Sequence, residues 1–248
     1  MTYEQLDKLL DIDLKWRKQE ISSLFLLAKE NSDSEVILKS LILLLYAHWE
    51  GYIKKSSKQY LRYVVEQKIE LSKLTLNFKA SALKGNIAEC IKTSESINLS
   101  NELKFIDKYL RLQDQKFKIN IDPNDDHNTS IINTQSNLKP KVLENIYGIL
   151  GIKYKDAVKN REFNINKLIH ARNTIGHGGN FTGDLHIDLS DFRSLKSFFF
   201  EIIDNFRDEL LDFAFKKYFL IDNEERRFKY ENDKEIALEK TLEKYYQL

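Results

Sequence analysis

Arg172 and His177 stand five residues apart in the run Ile169-His170-Ala171-Arg172-Asn173-Thr174-Ile175-Gly176-His177-Gly178-Gly179. Arginine keeps its charge at any physiological pH, and an imidazole titrates near neutrality. The pair suits phosphodiester cleavage: the histidine handles the proton of an attacking hydroxyl or a leaving oxygen, and the guanidinium stabilises the charged transition state. In RNA the nucleophile can be the adjacent 2′-hydroxyl, so this chemistry requires neither metal nor cofactor. A purely structural alternative also stands, in which His177 serves as a helix C-cap against the last carbonyls and the helix dipole. Four of the chain's eight glycines, Gly176, Gly178, Gly179 and Gly183, crowd into this stretch.

The element carrying the pair reads as a helix, with Ile165, Leu168, Ile169, Arg172 and Ile175 on one stripe and Asn164 or Asn166 as its cap. Arg172 therefore interrupts an apolar face. An unpaired buried charge costs several kcal/mol or more, so something must face it. The candidates are Glu50 from an earlier helix or an anionic ligand, and the two can coexist. On an ideal helix His177 would sit about 140° around from Arg172 at ~100° per residue. If the helix stops near Gly176, the glycines free His177 to turn back toward the arginine.

The rest of the chain supplies helices around this one. Only two prolines and eight glycines, with much Leu, Ile, Lys and Glu, favour long helices in a chain of 248 residues. Helical periodicity covers residues 3–30, Ser34 to the high sixties with Ser32 and Glu35 as a capping box, Leu76–Ile91, Asn101–Leu112 and Leu138–Ile152. A last long helix, capped by Ser190 or Asp191, carries the stripe Phe192, Leu195, Phe199, Ile202, Phe206, Leu210 and Phe213. Residues 119–137 are polar and turn-rich and suit a mobile flap or insertion, and Phe181–Asp188 reads as an irregular link with one short extended piece. The expected fold is all-α: an up-and-down bundle of about four long core helices, with shorter helices and a C-terminal helical extension. One domain spans 1–220, its core about 35–215, followed by a helical tail over 221–248.

Composition sets limits on partners. With 39 basic and 38 acidic residues the net charge is +1, so no global field draws the chain to nucleic acid or a membrane, and any such binding is local. The single Cys90 excludes an internal disulfide and a cysteine-built zinc site, which suits a reducing compartment. No secretory signal opens the chain, and the apolar run Leu41–Ala47 is far shorter than the ~20 residues a membrane span needs. The expected location is the cytoplasm.

The second helix is apolar on nearly all sides at its start, which marks the middle of a bundle. His48 and Glu50 stand within it and need partners if buried. His48 lies in line with Leu41, Leu45 and Tyr52, as a satisfied core histidine or a supporting site residue. Farther along, Lys54, Lys55, Lys58 and Arg62 form either a solvated helix face or a local RNA phosphate-binding patch beside Glu50. His170 shares a helix face with Thr174 and His177, as a second cleft residue or as surface. His127 and His186 are expected in solvent, and no metal site is expected from such scattered histidines.

The run Arg172-Asn173-Thr174-Ile175-Gly176-His177 resembles the Arg-x(4–6)-His motif of the HEPN superfamily (higher eukaryotes and prokaryotes nucleotide-binding), including a polar residue directly after the arginine. Leu44 to Ile53, with His48, Trp49 and Glu50, is similar to the matching early helix in a branch encoded near prokaryotic defence and toxin–antitoxin systems. The resemblance covers about residues 35–215. It implies a metal-independent endoribonuclease acting as a homodimer, with the motif helices of two subunits forming one cleft. It also implies Arg172 and His177 as the catalytic pair, Asn173 as polar helper, Glu50 as supporting acid, and an antitoxin or defence-system partner. Members silenced by a nucleotidyltransferase partner often carry tyrosine two residues after the motif histidine. Gly179 stands there in this chain, so control through a modified tyrosine is not implied.

Overall fold

A computed structural model describes residues 1–31, 34–92, 99–179 and 187–245. Among them are nine α-helices and no β-strand, with two isolated antiparallel bridges, Glu70 to Lys116 and Leu74 to Leu220. The fold is all-α.

Helix α1 (Tyr3–Glu30) starts on a reciprocal cap: Thr2 accepts the Gln5 N–H, and the Gln5 side chain accepts the Thr2 N–H at 2.8 Å. α2 (Glu35–Glu66) is capped by Ser34, whose hydroxyl accepts the Ile37 N–H at 3.4 Å. The expected capping box placed its serine at Ser32, which lies outside the described residues. α1 and α2 are antiparallel. The N-terminal amine pairs with Glu66 at the end of α2, while Glu20 meets His48 nearer its start.

α8 (Leu189–Phe215) lies along both, antiparallel to α1 and parallel to α2. Its rings set this register: Phe192 packs on Phe25 at 5.8 Å between centroids, Phe199 on Trp49 at 5.1 Å, and Phe215 on Tyr3 at 5.3 Å. Each ring that leaves water contributes about 2–3 kcal/mol, and a favourable ring pair adds about 1 kcal/mol. The cap of α8 is Asp188, in a reciprocal bond with Asp191, so the expected Ser190 is a first-turn residue.

The fourth core helix is α7 (Glu162–Gly176), at 15 residues much shorter than α1, α2 and α8 with 28, 32 and 27. Asn164 does not cap it. The helix starts from Arg161, and Asn164 is a buried residue of its first turn. α2 is the hub, packed against α1, α5, α7 and α8, and is long and apolar enough by composition to cross a bilayer. It is not enclosed all round: Leu43 keeps 38% of its surface exposed, and Ala47 on the same edge is exposed too.

The remaining helices are α3 (Leu76–Lys92), α4 (Ser100–Leu112), α5 (Pro140–Leu150), the short α6 (Asp156–Lys159) and α9 (Glu224–Leu242). α9 runs back along α8 and α6, with Tyr230 bonded to Asp212 at one end and Tyr245, just beyond the other, edge-on to Phe198. Residues 113–139 contain no helix, as their turn residues indicate, yet they are pinned. Lys54 donates to the Asp126 carbonyl at 2.9 Å, Lys58 to the Asp125 carbonyl at 2.7 Å, and Lys84 to that of Ser130. Ile132 and Leu138 of this segment are fully buried. The segment expected as a flap or insertion is thus held against the bundle at these points. The expected extended piece within 181–188 falls largely outside the described residues.

Candidate functional site

Helix α7 buries Ile165, Leu168, Ile169 and Ala171 against the bundle. That packing fixes what its other sides present. Asn166, His170, Asn173 and His177, spaced four, three and four residues apart, lie along the outward side. His170 and His177 are exposed, and the Thr174 hydroxyl lies 3.3 Å from His170 Nδ1.

The helix ends in a Schellman turn. The Gly178 N–H bonds to the Ile175 carbonyl at 3.0 Å, and the Gly179 N–H reaches the Thr174 carbonyl at 2.8 Å. Gly178 takes the left-handed conformation, with φ of +77°. A Cβ at Gly179 would stand 2.6 Å from Thr174 Cγ2 and 3.0 Å from its carbonyl oxygen, so the turn has no room for the tyrosine that other motifs carry there. His177 itself, at the C-cap, has left the helical region with φ −95° and ψ 11°, while its N–H still bonds to the Asn173 carbonyl at 3.0 Å. The glycines therefore release the chain one residue after the histidine. His177 is exposed on the outward side of the helix and makes no contact with Arg172.

Arg172 points elsewhere. Its guanidinium lies over the ring of Tyr46 from α2, 5.1 Å from the centroid, and Nη1 donates to Asn173 Oδ1 at 2.9 Å. Among the described residues no carboxylate pairs with this half-buried cation. The expected contact with Glu50 is made at one remove: Glu50 acts by charge and hydrogen bonding on the Tyr46 hydroxyl, which also accepts the Leu138 N–H at 2.9 Å. Burial pushes the Tyr46 hydroxyl pKa well up and Glu50 adds to this, with the Leu138 N–H and Arg172 opposing. Tyr46 is not among the expected site residues; its spacing of four from Glu50, one turn along the same face, is the signal for it in the sequence.

An open concavity of about 580 Å³ is lined by Asn166, His170, Asn173, Thr174, His177 and Gly179. The structure thus brings His177, Asn173 and His170 together. Arg172 does not line this space and is joined to it through Asn173.

The other candidates lie apart. His48 is a core histidine on the α1 side of α2, its Nε2 2.7 Å from Glu20 and its Nδ1 3.4 Å from Arg17 Nη1, with Trp16 edge-on at 5.0 Å. The four cations expected to bind RNA phosphate are engaged within the chain. Lys54 and Lys58 are spent on carbonyls of 113–139, Lys58 being 1% exposed; Lys55 bonds to Asp13 at 3.1 Å and Arg62 to Glu66 at 2.8 Å. At ~100° per residue the helical period keeps these four side chains within one arc of α2, but carboxylates and carbonyls of the chain already satisfy them. His127 is exposed, and His186 lies outside the described residues. Among the described residues no three His, Cys, Asp or Glu side chains group as a metal ion would require.

No curated protein and no solved structure matches the chain. A family model described as MAE_28990-like HEPN does match, over residues 6–219, and takes in α1 through α8, the His177 concavity and Arg172. The chain therefore belongs to the MAE_28990-like HEPN family and carries its nucleotide-binding, RNase-like helical module.

Proposed function

We propose that this protein is a metal-independent endoribonuclease that cuts RNA by attack of a 2′-hydroxyl on the adjacent phosphate, in an anti-phage defence or toxin–antitoxin role. The observation that carries the reading is the state of Arg172: a half-buried guanidinium, fixed by a ring and an amide oxygen, with no carboxylate neutralising it among the described residues. Such a cation matches a phosphate, and an exposed imidazole stands five residues farther along the same helix. His177 takes or returns the proton, Arg172 stabilises charge on the phosphoryl oxygens, and Asn173 holds the arginine at the edge of the concavity.

Because Arg172 and His177 diverge within one subunit, the reading requires a second copy, so that the arginine of one chain serves the histidine of the other. The same divergence favours a second reading, a non-catalytic module that binds RNA, nucleotide or a protein partner in the His177 concavity. Incubation of total RNA with protein in EDTA separates them. Cleavage leaving 2′,3′-cyclic phosphate ends, lost by 10²-fold or more in both His177→Ala and Arg172→Ala, is expected. Undiminished cleavage by His177→Ala would sink the first reading, and tight RNA binding without products would support the second.

A further inference from the structure

Tyr46 is 2% exposed, yet it meets two other elements as well as its own helix. Its ring face carries the Arg172 guanidinium of α7, its hydroxyl accepts the Leu138 N–H at the end of the 113–139 segment, and Glu50 of its own helix acts on that hydroxyl. We propose that Tyr46 is the positioning residue of Arg172, and that it ties the arginine's placement to the 113–139 segment. The assignment rests on the ribonuclease reading above.

The physical reason lies in what an aromatic shelf does that a carboxylate does not. A glutamate paired with Arg172 would neutralise it and occupy two in-plane donors. A ring attracts the cation through its face and leaves the in-plane N–H groups to point past its edge. Of those donors one goes to Asn173, and the others remain for a phosphate. Glu50 acts on the tyrosine hydroxyl and forms no ion pair with the arginine. The shelf is itself fixed, since its hydroxyl accepts from the backbone of a buried residue. That residue ends a segment whose carbonyls at Asp125 and Asp126 are clamped by Lys58 and Lys54, farther along the helix that bears Tyr46.

Two variants divide the roles. Tyr46→Phe keeps the ring and removes the hydroxyl, whereas Tyr46→Leu removes the shelf. With a labelled RNA oligonucleotide, Tyr46→Leu is expected to lower kcat by roughly 10- to 100-fold, more than it raises KM, because a displaced guanidinium loses transition-state contacts first. Tyr46→Phe is expected to stay within roughly fivefold of wild type. Two further readouts need no cleavage. The Arg172 side-chain Nε–H resonance, assigned by its loss in Arg172→Lys, should be ring-shifted in wild type and Tyr46→Phe and unshifted in Tyr46→Leu. Amide exchange at Leu138 should quicken at least tenfold in Tyr46→Phe. An unshifted Arg172 resonance in wild type, or equal kcat in Tyr46→Leu, overturns the positioning role; unchanged Leu138 protection in Tyr46→Phe overturns the tie to the segment. Wild-type protein that cuts no RNA but shows the shifted resonance overturns only the ribonuclease reading.

Discussion

His48 and His177 are the same residue type put to different ends by burial. His177 is exposed at a helix end and lines the concavity. His48 is 5% exposed, and burial first, then the Arg17 charge, holds its pKa below the ordinary histidine value, with Glu20 and Asp13 opposing. The unfolded chain takes up this proton near pH 6.5, before the folded one does. The stabilising contribution of neutral His48 is thus complete above that pH and is lost as the pH falls toward the folded pKa. Melting temperature should drop between pH 7.5 and 5.5 in wild type, and less steeply in His48→Gln. Parallel slopes in the two proteins would show that other groups set the dependence.

Helix α7 is held at both ends, by different means. At its C-terminus the Schellman turn closes it. At its start Arg161, fully buried, donates Nε to the Leu242 carbonyl at 2.7 Å and forks onto Glu239 with 2.9 and 2.7 Å bonds, while Asn164 Nδ2 lies 3.4 Å from the Tyr245 carbonyl. The end of α9 and the turn after it, outside the span that the family model matches, thus grip the foot of the helix that carries the site. Replacing Arg161 with Met leaves buried carbonyls and Glu239 without their donor and should cost about 3–5 kcal/mol in urea unfolding. Faster amide exchange should concentrate in α9. A loss under about 1 kcal/mol would mean that α9 is held by its apolar contacts alone.

At the scale of the whole molecule, the outward side of α7 and the exposed edge of α2 at Leu43 and Ala47 remain for a second copy in the composite-cleft reading. That reading makes a prediction no single-subunit site shares. Arg172→Ala and His177→Ala, each inactive alone, should regain roughly a quarter of wild-type cleavage after subunit exchange, since half of the molecules become mixed dimers with one complete site. No recovery, with exchange verified by mass, would place Arg172 and His177 in one subunit's chemistry or in none.

The sequence by itself determined the helices, because their apolar periods and scarce glycines and prolines are local properties. It also determined the candidate motif, because residue types and spacing are covalent facts. Tertiary packing decided the rest. Whether Arg172 meets Glu50 or a ring depends on which face of α2 lies against α7, and whether four basic residues form a patch depends on which carbonyls and carboxylates reach them first. The opening stretch shows the same division. Its glycines announced a helix end, but which residue would take the left-handed angle, Gly178 rather than one before the histidine, followed from where the Thr174 and Ile175 carbonyls found their donors, and that kept His177 on the outward face.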